Sequence, residues 1–404
     1  MRTKSVAVVG AGITGSVAAL LLADQGYRVC LFDRAAVPIS GASLINEGKI
    51  HLGFVYVNDP SMRSLDVMIQ SAVVFRSILE RWISKSCFEA AVTEPFDYIV
   101  PKDTQVAPDI IDLKFRLIAE KIGAAEKARQ TRYLGMDRPA VWSRSSEVPA
   151  NFDRENIIAH YQTLERSVDT HAIAAELINC LRSHDRIEMH MNTPITKISR
   201  ESQTWTLQTK QEEKTKKFSP FINVINSSWD GRLELDEQVF GPDKVQWFHR
   251  YKSVLNLTPK APHLIPNFTA IIGTYGDIIS YPSGRVYLSY YPAGMLSSSD
   301  DIKAIKTRYN DETKARVATD TLEGLSQFVP NIQTILSVCE PNAANVTGGI
   351  IMARGSTDID DSASELHQRY RIGIKERDGY FSIDTGKYTC GPAFAQQAVN
   401  RILA

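Results

Sequence analysis

A glycine-rich turn near the N-terminus places the strongest constraint on the fold of this chain. Residues 10–15 read Gly-Ala-Gly-Ile-Thr-Gly, after a short β-branched run at 5–9 and at the start of an Ala- and Leu-rich run at 13–25. A second apolar run follows at 28–32. A strand, a glycine turn, a helix and a second strand within about thirty residues make a βαβ unit. The sequence therefore predicts an α/β fold that begins with a Rossmann-type dinucleotide-binding unit.

Each glycine of this fingerprint has a mechanical reason. Gly10 makes the tight turn, Gly12 lets the backbone approach a pyrophosphate, and Gly15 lets the helix pack closely on the strand. The helix N-terminus offers N–H groups and a partial positive charge to phosphate. Asp33 ends the second strand and suits the ribose hydroxyls. We therefore predict that the dinucleotide contacts Gly10, Gly12, Ile13, Thr14, Gly15, Asp33 and Arg34.

The fingerprint alone does not separate NAD from FAD, but the segment after the second strand does. Residues 40–56 read Ser-Gly-Ala-Ser-Leu-Ile-Asn-Glu-Gly-Lys-Ile-His-Leu-Gly-Phe-Val-Tyr. This segment resembles that of the D-amino-acid oxidase superfamily of FAD proteins, which includes glycine oxidase, sarcosine oxidase and L-2-hydroxyglutarate dehydrogenase. The resemblance implies FAD as the cofactor. It also implies that Ser43, Asn46 and Gly48 lie along the pyrophosphate and the flavin, and that His51 approaches the flavin ring.

The resemblance extends along the whole chain. Residues 166–177 look like the helix that returns to the FAD-binding domain, and residues 193–199 look like the stretch whose backbone contacts adenine, with Ile195 as the best candidate. Residues 386–395 resemble the glycine oxidase turn Gly-His-Tyr-Arg-Asn-Gly, with Lys in place of His. In the family this turn places a helix N-terminus beside the flavin. The resemblance therefore adds Gly386, Lys387, Tyr388 and Gly391 to the predicted cofactor contacts.

The chain is expected to contain two domains. Residues 1–57, 155–235 and 345–404 are predicted to form a discontinuous FAD-binding domain. Residues 58–154 and 236–344, with alternating aromatic-rich segments near 278–291, are predicted to form a substrate domain built on an antiparallel sheet.

The resemblance implies an enzyme that removes a hydride from a small polar substrate. The candidate residues are His51 as a base, substrate contact or covalent flavin anchor, Arg354 as a carboxylate clamp, Tyr388 as a wall of the pocket and Lys387 as a charge near the flavin. The C-terminal turn favours an amine or amino acid, whereas residues 46–56 favour a 2-hydroxy acid. A biosynthetic tailoring reaction and a flavin-binding protein without turnover are further alternatives. The electron acceptor is expected to be oxygen or a quinone.

Composition excludes several other classes. Lys and Arg total 46, as do Asp and Glu, so there is no basic excess for nucleic acid. Five scattered cysteines (Cys30, Cys87, Cys180, Cys339 and Cys390) indicate free thiols and a cytoplasmic protein. No apolar run is long enough for a transmembrane helix, and no metal site is expected, because the histidines lack ligand spacing. The oligomeric state is not indicated.

Overall fold

A computed structural model describes residues 5–137, 140–211, 214–261, 264–336, 345–361 and 364–404, so Cys339 lies outside the described residues. The helices are α1 Ile13–Asp24, α2 Ala42–Ile45, α3 Arg63–Leu79, α4 Lys85–Ala91, α5 Pro108–Arg129, α6 Thr170–Ser183, α7 Arg232–Phe240, α8 Tyr291–Gly294, α9 Asp311–Ser326, α10 Ile332–Leu336 and α11 Gly391–Leu403. The strands are β1 Ser5–Val9, β2 Arg28–Phe32, β3 Asp97–Pro101, β4 Trp142–Arg144, β5 Ile157–Thr163, β6 Ile187–His190, β7 Ile195–Glu201, β8 Thr204–Gln211, β9 Lys214–Phe221, β10 Asn223–Asn226, β11 Trp247–Leu257, β12 Phe268–Ala270, β13 Gly276–Ser280, β14 Val286–Tyr290, β15 Met295–Ser299, β16 Val346–Arg354, β17 Gly373–Arg377 and β18 Tyr380–Asp384.

The first sheet has the order β17-β18-β10-β1-β2-β6. Its strands are parallel except for the edge strand β17. The predicted βαβ unit is present as β1, α1 and β2. Because β1 lies between β2 and β10, the loops that leave these three strands meet at one edge of the sheet, where ligands bind in doubly wound folds.

The second sheet is larger and mostly antiparallel, with the order β15-β11-β14-β13-β12-β3-β5-β4. β16 also pairs with β11, from Trp247 opposite Arg354 to Leu255 opposite Val346. This architecture confirms the predicted α/β class with a Rossmann-type sheet and an antiparallel sheet. β5 and β16 pair within this second sheet, whereas the predicted division grouped them with the FAD-binding domain. The exact domain boundaries stay a prediction.

A third sheet, β7-β8-β9, projects from the first sheet as an antiparallel meander. Residues 210–211 end β8, and residues 214–217 begin β9. Side-chain caps mark the starts of two helices. Ser84 accepts the N–H of Cys87 and begins α4, and Asn310 accepts the N–H of Thr313 and begins α9. These side-chain caps define helix starts that apolar periodicity does not show.

A buried charge network joins α7 to the first sheet. Arg232, which is 1% exposed, lies 3.0 Å from the Asp236 carboxylate and 3.2 Å from that of Asp384. The Asp236 carboxylate also accepts hydrogen bonds from β10 and β18 side chains, namely Asn226, Tyr380 and Ser382. Asp236 is therefore the shared acceptor that holds α7 against two strands.

We expect Asp236→Ala to destabilise the protein by about 3 kcal/mol, because it removes one of the two carboxylates that compensate buried Arg232 and the shared acceptor of three buried hydrogen bonds. The measurement is the urea midpoint followed by circular dichroism. The control is Asp109→Ala, which removes a 96% exposed side chain 3.8 Å from Arg144 and should leave the midpoint almost unchanged. Equal midpoints for the two variants would show that the network contributes little.

Candidate active site

A cavity of about 590 Å³ lies where the first sheet faces β11, β14 and β16 of the second sheet. It is lined by the fingerprint turn, the segment 39–51, the loops after β6 and β10, and the C-terminal turn before α11. Most residues predicted for the cofactor or for catalysis line this cavity: Gly10, Gly12, Ile13, Thr14, Asp33, Arg34, Ser43, Asn46, His51, Ile195, Gly386, Lys387 and Tyr388. Segments far apart in the sequence therefore converge on one site.

The three glycines of the fingerprint turn occupy positions with no room for a side chain. A Cβ atom on Gly10, whose φ is +96°, would lie 2.6 Å from the carbonyl oxygen of Ser227. A Cβ atom on Gly12 would lie 2.9 Å from Oγ of Ser43, which accepts the Ile13 N–H at 3.0 Å. A Cβ atom on Gly15 would lie 1.8 Å from the carbonyl oxygen of Gly10. Gly15 thus lies behind the cavity, where α1 contacts the end of β1.

Asp33 and Arg34 form the rim beside the fingerprint turn. The Asp33 carboxylate accepts the N–H of Ala11 at 2.6 Å and that of Ala35 at 2.8 Å. It therefore ties the fingerprint turn to the end of β2 while facing the cavity. The Arg34 guanidinium forms two hydrogen bonds to the Asp230 carboxylate, at 2.7 and 2.8 Å. This contact joins the loop after β2 to the loop after β10.

Two predicted glycines support the site without lining it. A Cβ atom on Gly48, whose φ is +62°, would lie 2.1 Å from the carbonyl oxygen of Val168. A Cβ atom on Gly391 would lie 3.0 Å from side-chain atoms of Ile13 and Thr14. The start of α11 therefore packs against the start of α1, so the C-terminal turn lies beside the fingerprint turn.

Arg354 is not placed at the cavity. It ends β16 opposite Trp247, with its guanidinium carbon 5.6 Å from the centre of that ring. The cavity wall uses Ile350, Ile351 and Met352 instead. The residues between Gly349 and Arg354 carry the strand past the cavity, so Arg354 is poorly placed for the predicted carboxylate clamp. From the aromatic segment near 278–291, Tyr287 on β14 lines the cavity, whereas Tyr281, Tyr290 and Tyr291 do not.

Four charged side chains gather at the end of the cavity formed by the C-terminal turn, β11 and the segment after α2. Nζ of Lys387 lies 3.4 Å from Oε1 of Glu47. Burial acts to raise the pKa of Glu47, but Lys387 and His51 outweigh burial and hold this pKa well below its usual value. Lys252 and Arg369 also line the cavity, and burial lowers the pKa of each. Within the described ranges, neither has a carboxylate within 4.0 Å.

His51 lies in the same region and is 2% exposed. Its Nε2 atom is 3.6 Å from Oε1 of Glu47, and its Nδ1 atom is 3.4 Å from Oε1 of Glu165. The ring of Tyr56 is 5.7 Å away, edge to face. His51 is therefore held between two carboxylates, with one edge toward the cavity.

Sequence reasoning missed Glu47, Lys252, Arg369 and Glu165. A signal existed for Glu47, which lies in the quoted segment between Asn46 and Gly48. A weaker signal existed for Lys252, a cation within the long and largely buried strand β11. Arg369 lies in an irregular segment and Glu165 follows β5, so no local pattern links either residue to the site.

Three side chains with metal-ligand atoms lie together away from the cavity. Ligand atoms of Cys30, Glu188 and His190, on β2 and β6, lie within 4.8 Å of one another. Sequence spacing had not grouped them because they come from neighbouring strands. Arg28 lies near Cys30 and Lys216 lies near His190, and both positive charges oppose the binding of a cation there.

The residues of the cavity fit FAD. At its three glycines the fingerprint turn presents backbone where a Cβ would clash. Gly12 precedes α1 and has no side chain to cap the helix, although Oγ of Ser43 accepts the N–H of Ile13. Asp33 supplies a carboxylate at the end of β2. At the other end of the cavity the hydroxyl of Tyr388 is buried without a hydrogen-bond partner among the described residues.

Among the described residues, no helix is long and apolar enough to cross a membrane.

We expect Asp33→Ala to weaken FAD binding by about 1–3 kcal/mol, the cost of losing hydrogen bonds to buried polar groups. The measurement is the quenching of FAD fluorescence on titration of the apoprotein. The control is Asp185→Ala, which removes an 88% exposed carboxylate at the far end of the first sheet. Equal affinities for the two variants would exclude Asp33 from the cofactor site.

The chain matches a known protein family. The profile of the DAO family, described as FAD dependent oxidoreductase, matches residues 5–356. No curated protein sequence matches the chain.

Several solved structures share the fold. Glycine oxidase from Geobacillus kaustophilus has a TM-score of 0.69 and 16% identity, over 99% of this chain and 95% of that one. L-alpha-glycerophosphate oxidase from Mycoplasma pneumoniae, with FAD bound, has a TM-score of 0.69 and 15% identity, over 100% and 96%. L-proline dehydrogenase from P. horikoshii has a TM-score of 0.66 and 13% identity, over 99% and 93%. Because the family profile matches most of the chain, the protein belongs to the DAO family of FAD-dependent oxidoreductases.

Proposed function

We propose that this protein oxidises the C–N carbon of a small amine or amino acid. The observation that carries the proposal is the charge arrangement at the flavin end of the cavity. Two cations without carboxylate partners among the described residues, Lys252 and Arg369, line the same cavity as the buried carboxylate of Glu47. An amino acid carries a carboxylate that suits the two cations and an amino group that suits Glu47.

Arg369 is the best candidate for holding the substrate carboxylate. Its planar guanidinium offers a fork of N–H donors that matches the two oxygens of a carboxylate. Burial and the nearby charge of Arg250 lower its pKa, although Tyr56 and Asp384 act in the opposite direction. A substrate carboxylate supplies an opposite charge, and Lys252 adds a second positive charge. Arg369 thus takes the role that the sequence assigned to Arg354.

Glu47 and His51 suit the amino group of the substrate. A carboxylate next to the amine attracts its positively charged form, and His51 then lies within a few ångströms as an acceptor for the released proton. Two of the similar structures are named for glycine and L-proline, which agrees with an amine substrate. FAD, when bound, supplies the acceptor for the hydride of the substrate carbon. The protein contributes orientation, charge and exclusion of water.

Oxidation of a 2-hydroxy acid is the second candidate. His51 favours it, because a histidine between two carboxylates suits the removal of a hydroxyl proton. The similarity to L-alpha-glycerophosphate oxidase points in the same direction. Oxygen or a quinone as electron acceptor and a cytoplasmic location remain parts of the proposal.

A reduction screen without oxygen tests the substrate class. The purified protein is mixed with amines, amino acids and 2-hydroxy acids, and bleaching of the flavin absorbance is followed. We expect at least one amino acid to bleach the flavin rapidly. Bleaching by hydroxy acids alone would favour the second candidate, and no bleaching by any compound would favour a flavin-binding protein without turnover.

Arg369→Met should weaken binding of a carboxylate substrate by about tenfold to a hundredfold, since a charge-assisted hydrogen bond contributes about 1.5–3 kcal/mol. The measurement is the substrate dependence of the rate of flavin reduction. Arg354→Met is the matched control, because Arg354 stacks on Trp247 outside the cavity. If Arg354→Met has the larger effect, the clamp is the residue suggested by the sequence and not Arg369.

A further inference from the structure

A fully buried carboxylate lies behind His51. Glu165 follows β5 and is 0% exposed, and the cavity lining does not include it. A carboxylate in the interior needs hydrogen bonds and opposite charge to remain ionised. The groups that surround Glu165 therefore indicate its role.

Both oxygens of Glu165 are engaged. Oε2 accepts the backbone N–H of Leu52 at 2.5 Å. Oε1 accepts the hydroxyl of Tyr98, which is itself 0% exposed, and lies 3.4 Å from Nδ1 of His51. Burial acts to raise the pKa of Glu165, but His51, Lys49 and Tyr98 outweigh burial and lower this pKa. Glu165 is thus a carboxylate anion whose position is set by a backbone N–H and a buried phenol.

We propose that Glu165 is a positioning residue that directs the proton of neutral His51 to Nδ1 and leaves Nε2 free to accept a proton from the substrate. A carboxylate accepts hydrogen bonds only, so a ring nitrogen that faces one favours the protonated form. Both nitrogens of His51 face a carboxylate, but Glu165 is nearer to Nδ1, at 3.4 Å, than Glu47 is to Nε2, at 3.6 Å, and Glu47 is also paired with Lys387. Glu165 is therefore the stronger acceptor for the proton of the ring. The opposite nitrogen then presents its lone pair on the side of Glu47 and the cavity. A hydrogen bond made by one ring nitrogen selects the tautomer in this way in many histidines.

Several other groups share this environment. The titratable and charged groups around the ring and behind Glu165 are Glu47, Tyr56, Lys49, Tyr98 and Tyr133, with Lys387 beside Glu47. Nζ of Lys49 is 2.7 Å from Oδ1 of Asp277, so most of its charge is already compensated. Tyr98 and Tyr133 have pKa values raised by burial and by Glu165, so both remain neutral. Glu47 and Glu165 are therefore the anions closest to the ring, and Glu165 is the one that no cavity ligand contacts.

Nitrogen NMR of the histidine rings tests the positioning without any substrate. The protein has eight histidines, and the His51 signals are assigned by their loss in His51→Ala. We expect neutral His51 to carry its proton on Nδ1 in the holoenzyme, and Glu165→Gln to change these signals. The matched control is Asp112→Asn. Asp112 accepts the hydroxyl of Tyr161, the strand partner of Tyr98, and should leave the His51 signals unchanged.

Flavin reduction provides the second readout, which rests on the proposed function. Glu165→Gln should slow reduction at least about tenfold, because a general base contributes about 10²–10⁴-fold. In a His51→Ala background, Glu165→Gln should have no further effect on the rate. Asp112→Asn should leave the rate unchanged.

The outcomes separate this proposal from the proposed function. A neutral His51 protonated on Nε2, or an equal rate loss with and without His51, would overturn the positioning role of Glu165. The expected NMR result without reduction by any compound would support the positioning role while contradicting the proposed function. If Glu165→Gln fails to retain FAD, Glu165→Asp is the alternative variant, because it keeps the carboxylate but moves it away from His51 by the length of one CH₂ group. Unchanged His51 signals in Glu165→Asp would also overturn the proposal.

Discussion

The close contact between α1 and the end of β1 is the constraint on which the site depends. A Cβ atom at Gly15 would lie 1.8 Å from the Gly10 carbonyl oxygen, so only glycine lets the helix begin so near the strand. Almost every residue of α1 is buried, and α11 packs across it. The first turn of α1, the turn before α11 and the loop after β10 consequently meet at the same place, at one end of the cavity.

At the opposite end of the cavity, the arrangement of side chains depends on the pairing of buried charges. Burial of a charge is costly unless a partner offsets it, and most buried charges here have such partners. Lys49 has Asp277, Lys387 has Glu47, and Arg250 has Asp358. Among the described residues that line the cavity, Lys252 and Arg369 differ from these because no carboxylate lies within 4.0 Å of either cation. Protein charges left open in a cavity of this size favour a substrate that brings the opposite charge.

Features that depend on residues close together in the sequence were predicted better than features that depend on contacts between distant residues. The βαβ unit was predictable because turn, helix and strands lie within about thirty consecutive residues, and their periodicities are local. The C-terminal turn was predictable by resemblance. Arg354 was predicted to reach the substrate, but it lies outside the cavity. The register along β16 decides which residues line the cavity, and an offset of a few residues carries a side chain past the cavity. Starts of helices such as α9 depended on a single capping side chain.

The sequence by itself determined the α/β class and the dinucleotide turn, because these depend on short motifs with fixed geometry, and its resemblance to the D-amino-acid oxidase superfamily indicated FAD. Only the tertiary structure decided which charges meet in the cavity. Glu47, His51, Glu165, Lys252 and Arg369 come from four separate parts of the chain. Their proximity results from the pairing of strands that are distant in sequence, and no local pattern of residues records that pairing.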